Sequence, residues 1–383
     1  MLKDCVAVLD IQSSHIDVVI GEKSVNNTFI FRAKESVEYY TFFDGAFYDI
    51  KVLEEKISKL FIDIIEKNDI SRISTCYVGV PGEFFKVLTT NYRIAFNKAR
   101  RIAESDVKNL FDMAYEGKED CGYTLINRTA VYYAIDGIRS DKVIGKLASN
   151  LSARLSFNMV SNNYKEVVGD ILSRIGIKTI KFIPVPYAEA MSLFTKEERD
   201  ATKILIDVGN VTTTISILSG NALLYSSAFA LGGGLITAYL ADKFKCDFEV
   251  AEMLKRKLNL GLRQNTLSKY VVFDDDNEFK FDRDVANNIA IDLLNEIAEQ
   301  CDKELSKCTL KIPSDIETVF TGGGICFIRG AVEHITTVLG VFAKIAVPNQ
   351  PHYKKPNCSS LISLLDVAID TTRDKIFYYQ GVN

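Results

Sequence analysis

Residues 5–21 read CVAVLDIQSSHIDVVIG, and about two hundred residues later, at 203–220, the chain reads KILIDVGNVTTTISILSG. Each stretch is an apolar run ending in an aspartate, a short polar turn, a second apolar run and a glycine. β-Branched and apolar residues bounded by Gly and Asn are strand signals. The first stretch therefore predicts strands at Cys5–Ile11 and 16–20, and the second predicts strands at Lys203–Val208 and 213–218. A third strand is expected after each, at 28–33 and Ala222–Phe229. The same device used twice predicts two similar α/β domains.

The aspartates that end the first strands, Asp10 and Asp207, give these hairpins a chemistry. A carboxylate at the end of a buried strand, followed by a turn rich in Ser, Thr and Gly, suits phosphate and Mg²⁺. Backbone N–H groups and hydroxyls meet phosphate oxygens, and the carboxylate orders metal-bound water. Two facing copies would clamp the phosphates between domains. Thr321-Gly322-Gly323-Gly324 follows a strand candidate at 317–320 and precedes a helix at 328–339. Gly232-Gly233-Gly234 opens a helix at 235–244. Glycines at such turns permit close approach of the backbone to a ligand, or simply a tight turn. Glu252 and Lys255 lie at i, i+3 on the next helix, as a solvated salt bridge or as part of the site.

Other helices follow from periodicity. Leu53, Ile57, Leu60, Phe61, Ile64 and Ile65 form one stripe, and Val167, Val168, Ile171, Leu172 and Ile175 form another before Gly176, the expected C-cap. Ala286, Ile289, Leu293, Ile297, Cys301 and Leu305 mark a long helix, on which Cys301 and Cys308 are expected to share a packed face. The acidic run 274–278 reads as a solvated hairpin tip, because three adjacent Asp residues cannot converge on one ion.

Composition excludes several classes. The 383 residues leave room for two to three domains, and 46 Lys plus Arg against 50 Asp plus Glu give a net charge of −4. Nucleic-acid binding driven by bulk positive charge is not expected. Eight cysteines without a C-x-x-C pair and three histidines lack the usual zinc ligand sets. No run approaches the roughly 18–20 apolar residues of a membrane span. The start of the chain passes directly into a strand-like run, so no secretory leader is expected.

The order of these motifs resembles the actin-like ATPase superfamily, and within it FtsA, the bacterial cell-division family. The resemblance covers nearly the whole chain. It is carried by Leu9-Asp10-Ile11 with Gly21-Glu22, residues 77–82 (YVGVPG), 101–107 (RIAESDV), 132–136 (YYAID), 205–209 (LIDVG), 231–237 (LGGGLIT), Ala251-Glu252 with Lys255, and 320–324 (FTGGG). It implies an α/β, actin-like two-lobed fold of duplicated RNase H-like domains. It also implies an inserted FtsA-type strand-helix-strand-strand subdomain, here expected as strand 92–96, helix 105–115 capped by Ser105, strand 129–136 and strand 151–157. The first domain is expected over 1–86, 160–197 and 360–383, the insert over 87–159, the second domain over 198–243 and 316–359, and a small subdomain over 244–315.

By the same resemblance, ATP and Mg²⁺ are the expected cofactors. Asp10 and Asp207 would order Mg²⁺-bound water, and Ser13, Ser14, His15, Gly209, Asn210, Thr212 and Thr213 would surround the phosphates. Glu252 and Lys255 would hold ribose or base, with Gly233, Gly322, Gly323 and Gly324 lining the nucleoside. FtsA-like proteins usually have Gly where this chain has Gln12, and Lys or Arg is common where it has His15. Their second phosphate loop commonly carries two further glycines and an Asp where this chain has Asn210, Val211 and Thr214. These departures imply nucleotide binding with at most weak ATPase activity.

Expected partners are FtsZ, other division proteins and further copies of the chain in filaments, in the cytoplasm at the division site. Residues 371–383 are too short and too poorly patterned for an amphipathic membrane helix, so membrane contact is expected only peripherally or through a partner. Two rival functions share the fold. One is a PilM-like cytoplasmic platform of a pilus or secretion system that binds a membrane-protein peptide. The other is a small-molecule kinase, for which no catalytic base stands out in the sequence.

Overall fold

The computed structural model describes residues 5–373, apart from 25–28, 69, 71, 262–268, 276, 311, 312, 314 and 315. The expected tail segment therefore lies largely outside the described residues. Two five-stranded sheets share one topology. In the first lobe the spatial order is Thr179–Pro184, Thr75–Val80, Cys5–Ile11, His15–Lys23, Phe29–Glu38. In the second it is Ala343–Ile345, Glu317–Thr321, Lys203–Val208, Thr213–Ser219, Ala222–Phe229. Each sheet thus has an antiparallel three-strand meander with two parallel strands beside its first strand. The third strand of the first lobe runs to Glu38, past the expected end at residue 33, because pairing with His15–Lys23 continues through the polar residues Lys34, Glu35 and Ser36.

Parallel strands need covering on both faces. In the first lobe Ile50–Lys67 buries Leu53, Ile57, Leu60, Phe61 and Ile64, and Asp49 caps it by accepting the Lys51 and Val52 N–H groups. Asn162–Ile175 starts at Ser161, whose hydroxyl accepts the Tyr164 N–H, and ends at Gly176 with φ of 96°. Two helices pass between the lobes: Val185–Ser192 and Ser359–Arg373 pack on each other, and the latter also lies against Cys5–Ile11. The core of the first lobe reaches Leu205, Leu218, Leu223 and Val319 of the second, so the lobes meet through apolar contacts.

The insert departs from the expected outline. Its sheet has four strands, in the order Phe85–Arg101, Leu147–Ser161, Tyr123–Ile135, Ile138–Ser140. The long strands exceed the apolar segments visible in sequence because they continue through polar residues, held by pairing across 13 positions. The helix is Glu104–Tyr115 and its cap residue is Ala103, not Ser105. Asp106 takes over the capping role: its carboxylate accepts the Ala103 N–H at 2.8 Å and is clamped by Arg100.

The helix expected at 328–339 begins at Ala331, because Gly330 turns the chain with φ of 85°. Cys308 lies beyond the long helix, which ends at Ser306, although it still packs on the same second-lobe core as Cys301. Asp274 pairs with Asn277 at the end of the expected hairpin, while Asp276 is outside the described residues.

Candidate functional site between the lobes

The shared topology brings the ends of two equivalent strands together. Asp10 ends the first and is fully buried. Its Oδ2 accepts hydrogen bonds from Gln12 Nε2 at 2.8 Å and Ser360 Oγ at 2.7 Å, whereas Oδ1 is buried with no partner. Asp207, on the equivalent strand, is half-buried. Glu189 joins them from the crossing helix Val185–Ser192 and accepts from Ser359 Oγ at 2.7 Å.

These three acids sense one another. Burial pushes the Asp10 carboxyl above its ordinary range. Burial and then the Asp10 charge push Asp207 up to about 7. Glu189 is raised well above normal by burial, then by Asp207 and, more weakly, by Asp10. A cation between them would relieve this repulsion, and the orphaned Asp10 Oδ1 is an acceptor awaiting a donor. Among the described residues no three His, Cys, Asp or Glu side chains converge on one ion. Asp10 and Asp207 would hold a metal only through its waters, and Glu189 beside them is a buried carboxyl with a raised pKa.

The first turn is fixed in shape. Thr41 binds the Gln12 carbonyl through Oγ1 at 2.6 Å and the Ser13 carbonyl through its N–H, while the Tyr39 N–H binds the Ser14 carbonyl. Ser13 is buried and Ser14 is half-buried. The His15 ring sits between Ser14 and Asp17, with Nε2 3.5 Å from Asp17 Oδ2. Its nearest charged partner is thus on its own hairpin.

The second turn is built into a knot of three glycine segments. Gly209 N–H closes the turn on the Thr212 carbonyl; Gly233 and Gly234 donate to the carbonyls of Gly209 and Asn210; Gly324 donates to that of Val208. A Cβ on Gly233 would lie 2.0 Å from the Gly324 carbonyl oxygen, and one on Gly324 would lie 2.1 Å from that of Gly209. Gly322, with φ of 89°, leaves room for Asp207, whose Oδ1 would be 2.1 Å from an added Cβ. These glycines permit backbone to pack on backbone, while Gly323 abuts Asn357. Thr213 is buried and its hydroxyl is already bound to the Leu231 carbonyl at 2.6 Å, and Thr212 stays half-buried. Thr214 reaches the opposite lobe, where a Cβ on Gly82 would meet its Oγ1 at 2.4 Å.

Lys255 is buried, which overturns the solvated-bridge expectation. Its ammonium lies 2.7 Å from Glu252 Oε2 and 3.3 Å from the Gly233 carbonyl, so the pair braces the knot from behind. Thr237 and Arg256 supply further donors to Glu252. Burial lowers the Lys255 pKa; burial would raise that of Glu252, but Lys255 and the other donors outweigh it and leave it lowered.

Sequence reasoning missed Glu189, Ser359 and Ser360. The signal for Glu189 was present: it is the single charged residue of the short apolar helix VPYAEAMS. The serines had none, because only the fold brings position 360 to position 10.

Comparison with known proteins shows what the chain resembles. The model of the family "Cell division protein FtsA" matches residues 204–363. FtsA of Streptococcus pneumoniae serotype 2 (strain D39) is 25% identical over 373 residues, 94% of this chain and 79% of that protein. FtsA of Bacillus subtilis (strain 168) is 22% identical over 374 residues, 95% of this chain and 83% of that protein. Among solved structures, the PilM-PilN type IV pilus biogenesis complex aligns with a TM-score of 0.63 at 15% identity, over 95% of this chain and 98% of that one. MreB5 of Spiroplasma citri bound to AMPPNP aligns with a TM-score of 0.57 at 11% identity, over 97% and 98%. The chain is thus similar to FtsA along most of its length, and its fold is the actin-like two-lobed fold.

Proposed function

We propose that this FtsA-like chain is an ATP-binding scaffold of bacterial cell division. It assembles into filaments and links the FtsZ ring to other division proteins and to the membrane, in the cytoplasm at the division site. The observation that carries the nucleotide part is that Asp10 and Asp207 end equivalent strands of two lobes of one topology, close enough to Glu189 for the three charges to repel. In this reading Asp10 and Asp207 hold Mg²⁺ through its waters, and the metal supplies charge neutralisation at the phosphates. Ser13, Ser14, Gly209, Asn210 and Thr212 line the phosphates, and the knot braced by Lys255 shapes the nucleoside side. The bounds expected from sequence for the two domains, the insert and the small subdomain belong to the same proposal.

Hydrolysis is slow at most, since the first turn carries a Gln12 side chain bonded to Asp10 where relatives with Gly would leave space. The test is equilibrium binding of labelled ATP with and without Mg²⁺, together with capture of partners from native lysate. Absence of binding at millimolar nucleotide refutes the nucleotide part. Recovery of FtsZ supports the division role. The PilM-like platform is the second reading, supported by the near-complete fold match to PilM, and recovery of a membrane-anchored pilus protein favours it. Phosphate transfer to a screened sugar or acid would instead favour a kinase.

A further inference from the structure

One end of the inserted sheet carries a cluster of large aliphatic side chains that the fold leaves uncovered. Ile138 is 75% exposed, Leu147 64% and Ile144 56%. All three sit on or beside tight turns at the same end of the sheet. Asp136 and Gly137 form a two-residue hairpin turn with φ of 48° and 88°, after which Ile138 pairs back on Ile135. The Lys146 N–H closes a second turn on the Val143 carbonyl, with Gly145 at φ of 79°. The two turns are tied together: Lys146 Nζ donates to Ser140 Oγ at 2.8 Å, and Asp136 accepts the Ser149 and Asn150 N–H groups. Val143 and Ala148 point inward to the core of the insert, so the pattern turns the remaining aliphatics outward.

The surroundings are basic. Lys98, Arg101, Arg139, Lys142 and Lys146 are all exposed at this end, with Arg101 bound to the Gly145 carbonyl at 2.7 Å. Of the neighbouring acids, Asp106 is occupied by Arg100 and the helix start, and Asp136 by the backbone donors that hold its pKa down. Asp136, which stays ionised, Asp141 and Glu104 are the exposed carboxylates at this end, fewer than its five exposed cations. This cationic end contrasts with a chain whose net charge is −4.

We infer that this end of the insert is a membrane-contact site, which sets Ile138, Ile144 and Leu147 among the acyl chains and glycerol region of an anionic lipid surface while the flanking Lys and Arg side chains reach headgroup phosphates. Convex turns tipped with aliphatic side chains need no complementary pocket in a bilayer, and long cationic stems can lie along apolar surface with their charges in the headgroup layer. Three aliphatic side chains on two turns bind weakly and reversibly, and the flanking cations add attraction that fades within a Debye length. The inference gives the proposed scaffold a site for its membrane contact. It is tested without nucleotide or division proteins, so its failure and failure of that reading are distinguishable.

The chain contains no tryptophan. Ile138→Trp therefore installs a single indole reporter at the tip, and Phe342→Trp installs a control at a 92% exposed position of the second lobe. With vesicles of phosphatidylcholine and phosphatidylglycerol in equal parts, the Ile138→Trp emission is expected to shift to the blue. The Phe342→Trp emission is expected to stay constant, and raised salt should reverse the tip shift. Lys142→Glu with Lys146→Glu, both at exposed positions, should weaken vesicle binding at least about tenfold. An unshifted tip spectrum overturns the inference, as does charge-reversed protein that sediments with vesicles as the wild type does. A blue shift that rises with protein concentration in the absence of lipid also overturns it, since the tip is then a contact between copies.

Discussion

Replacing Asp207 by asparagine should stabilise the nucleotide-free protein at alkaline pH. In the folded state burial and the Asp10 charge raise this carboxyl from 3.8 to about 7. A raised folded-state pKa means that the folded chain binds the proton more tightly than the unfolded chain. The stability linked to this group is therefore fully present below pH ~4 and is lost as pH climbs towards 7. A shift of about 3 units at ~1.36 kcal/mol each amounts to about 4 kcal/mol of lost stability at pH 8. The amide avoids the repulsion from Asp10 and Glu189 but retains part of the burial cost, which reduces the expected gain to about 1–3 kcal/mol. Urea unfolding of wild type and Asp207→Asn, without Mg²⁺ or nucleotide, should show this gain at pH 8 and little of it at pH 5, where Asp207 is already protonated. Groups remote from the cleft cancel in the comparison, and relief of Glu189, which the Asp207 charge also pushes up, adds to the gain in the same direction. Equal differences at both pH values, or a variant less stable at pH 8, would refute the idea that an ionised Asp207 strains the empty cleft.

Three further outcomes follow from the packing. Gly233→Ala and Gly324→Ala each place a methyl group against a backbone carbonyl and should cost about 1–3 kcal/mol or more in thermal or urea unfolding, whereas Gly169→Ala, in a helix with nothing within 4 Å, should stabilise by about 0.5–1 kcal/mol. Lys255→Met strips the buried partner of Glu252 and should cost about 3–5 kcal/mol, with part of the loss recovered when Glu252 is also made apolar. Tyr164→Phe removes a buried hydroxyl that donates to the Gly79 carbonyl at 2.6 Å, and calorimetry should register a loss of about 1–3 kcal/mol.

The antiparallel meanders of the two sheets were legible because each hairpin states its own boundaries: apolar strand, acid, polar turn, apolar strand, glycine. Asp10 and Asp207 were legible for the same reason, as acids at strand ends. The flanking parallel strands Thr75–Val80, Thr179–Pro184 and Ala343–Ile345 were not read as strands. The insert was read less well because Phe85–Arg101 and Leu147–Ser161 continue through charged and polar residues, where pairing with a neighbour, not burial, sustains the strand. Ser105 misled as a cap because it is the residue type that favours caps, while the Asp106–Arg100 clamp that set the helix start involves a partner on the preceding strand. The Glu252–Lys255 spacing was visible, but i, i+3 spacing is the same on a wet face as on a buried one. Glu189, Ser359 and Ser360 carry no periodic signal, and their meeting with Asp10 depends on two helices crossing between lobes.

The Ser360–Asp10 hydrogen bond spans 350 residues of chain. At a synthesis rate of roughly 5–20 residues per second, the Asp10 strand waits about 20–70 s for the helix that supplies its donor. Until then Asp10 lacks its Ser360 donor and Glu189 its Ser359 donor. The donors that close the charge cluster therefore come from a helix made after the strands of both sheets, so the cluster gains its serines only once both lobes have been synthesised.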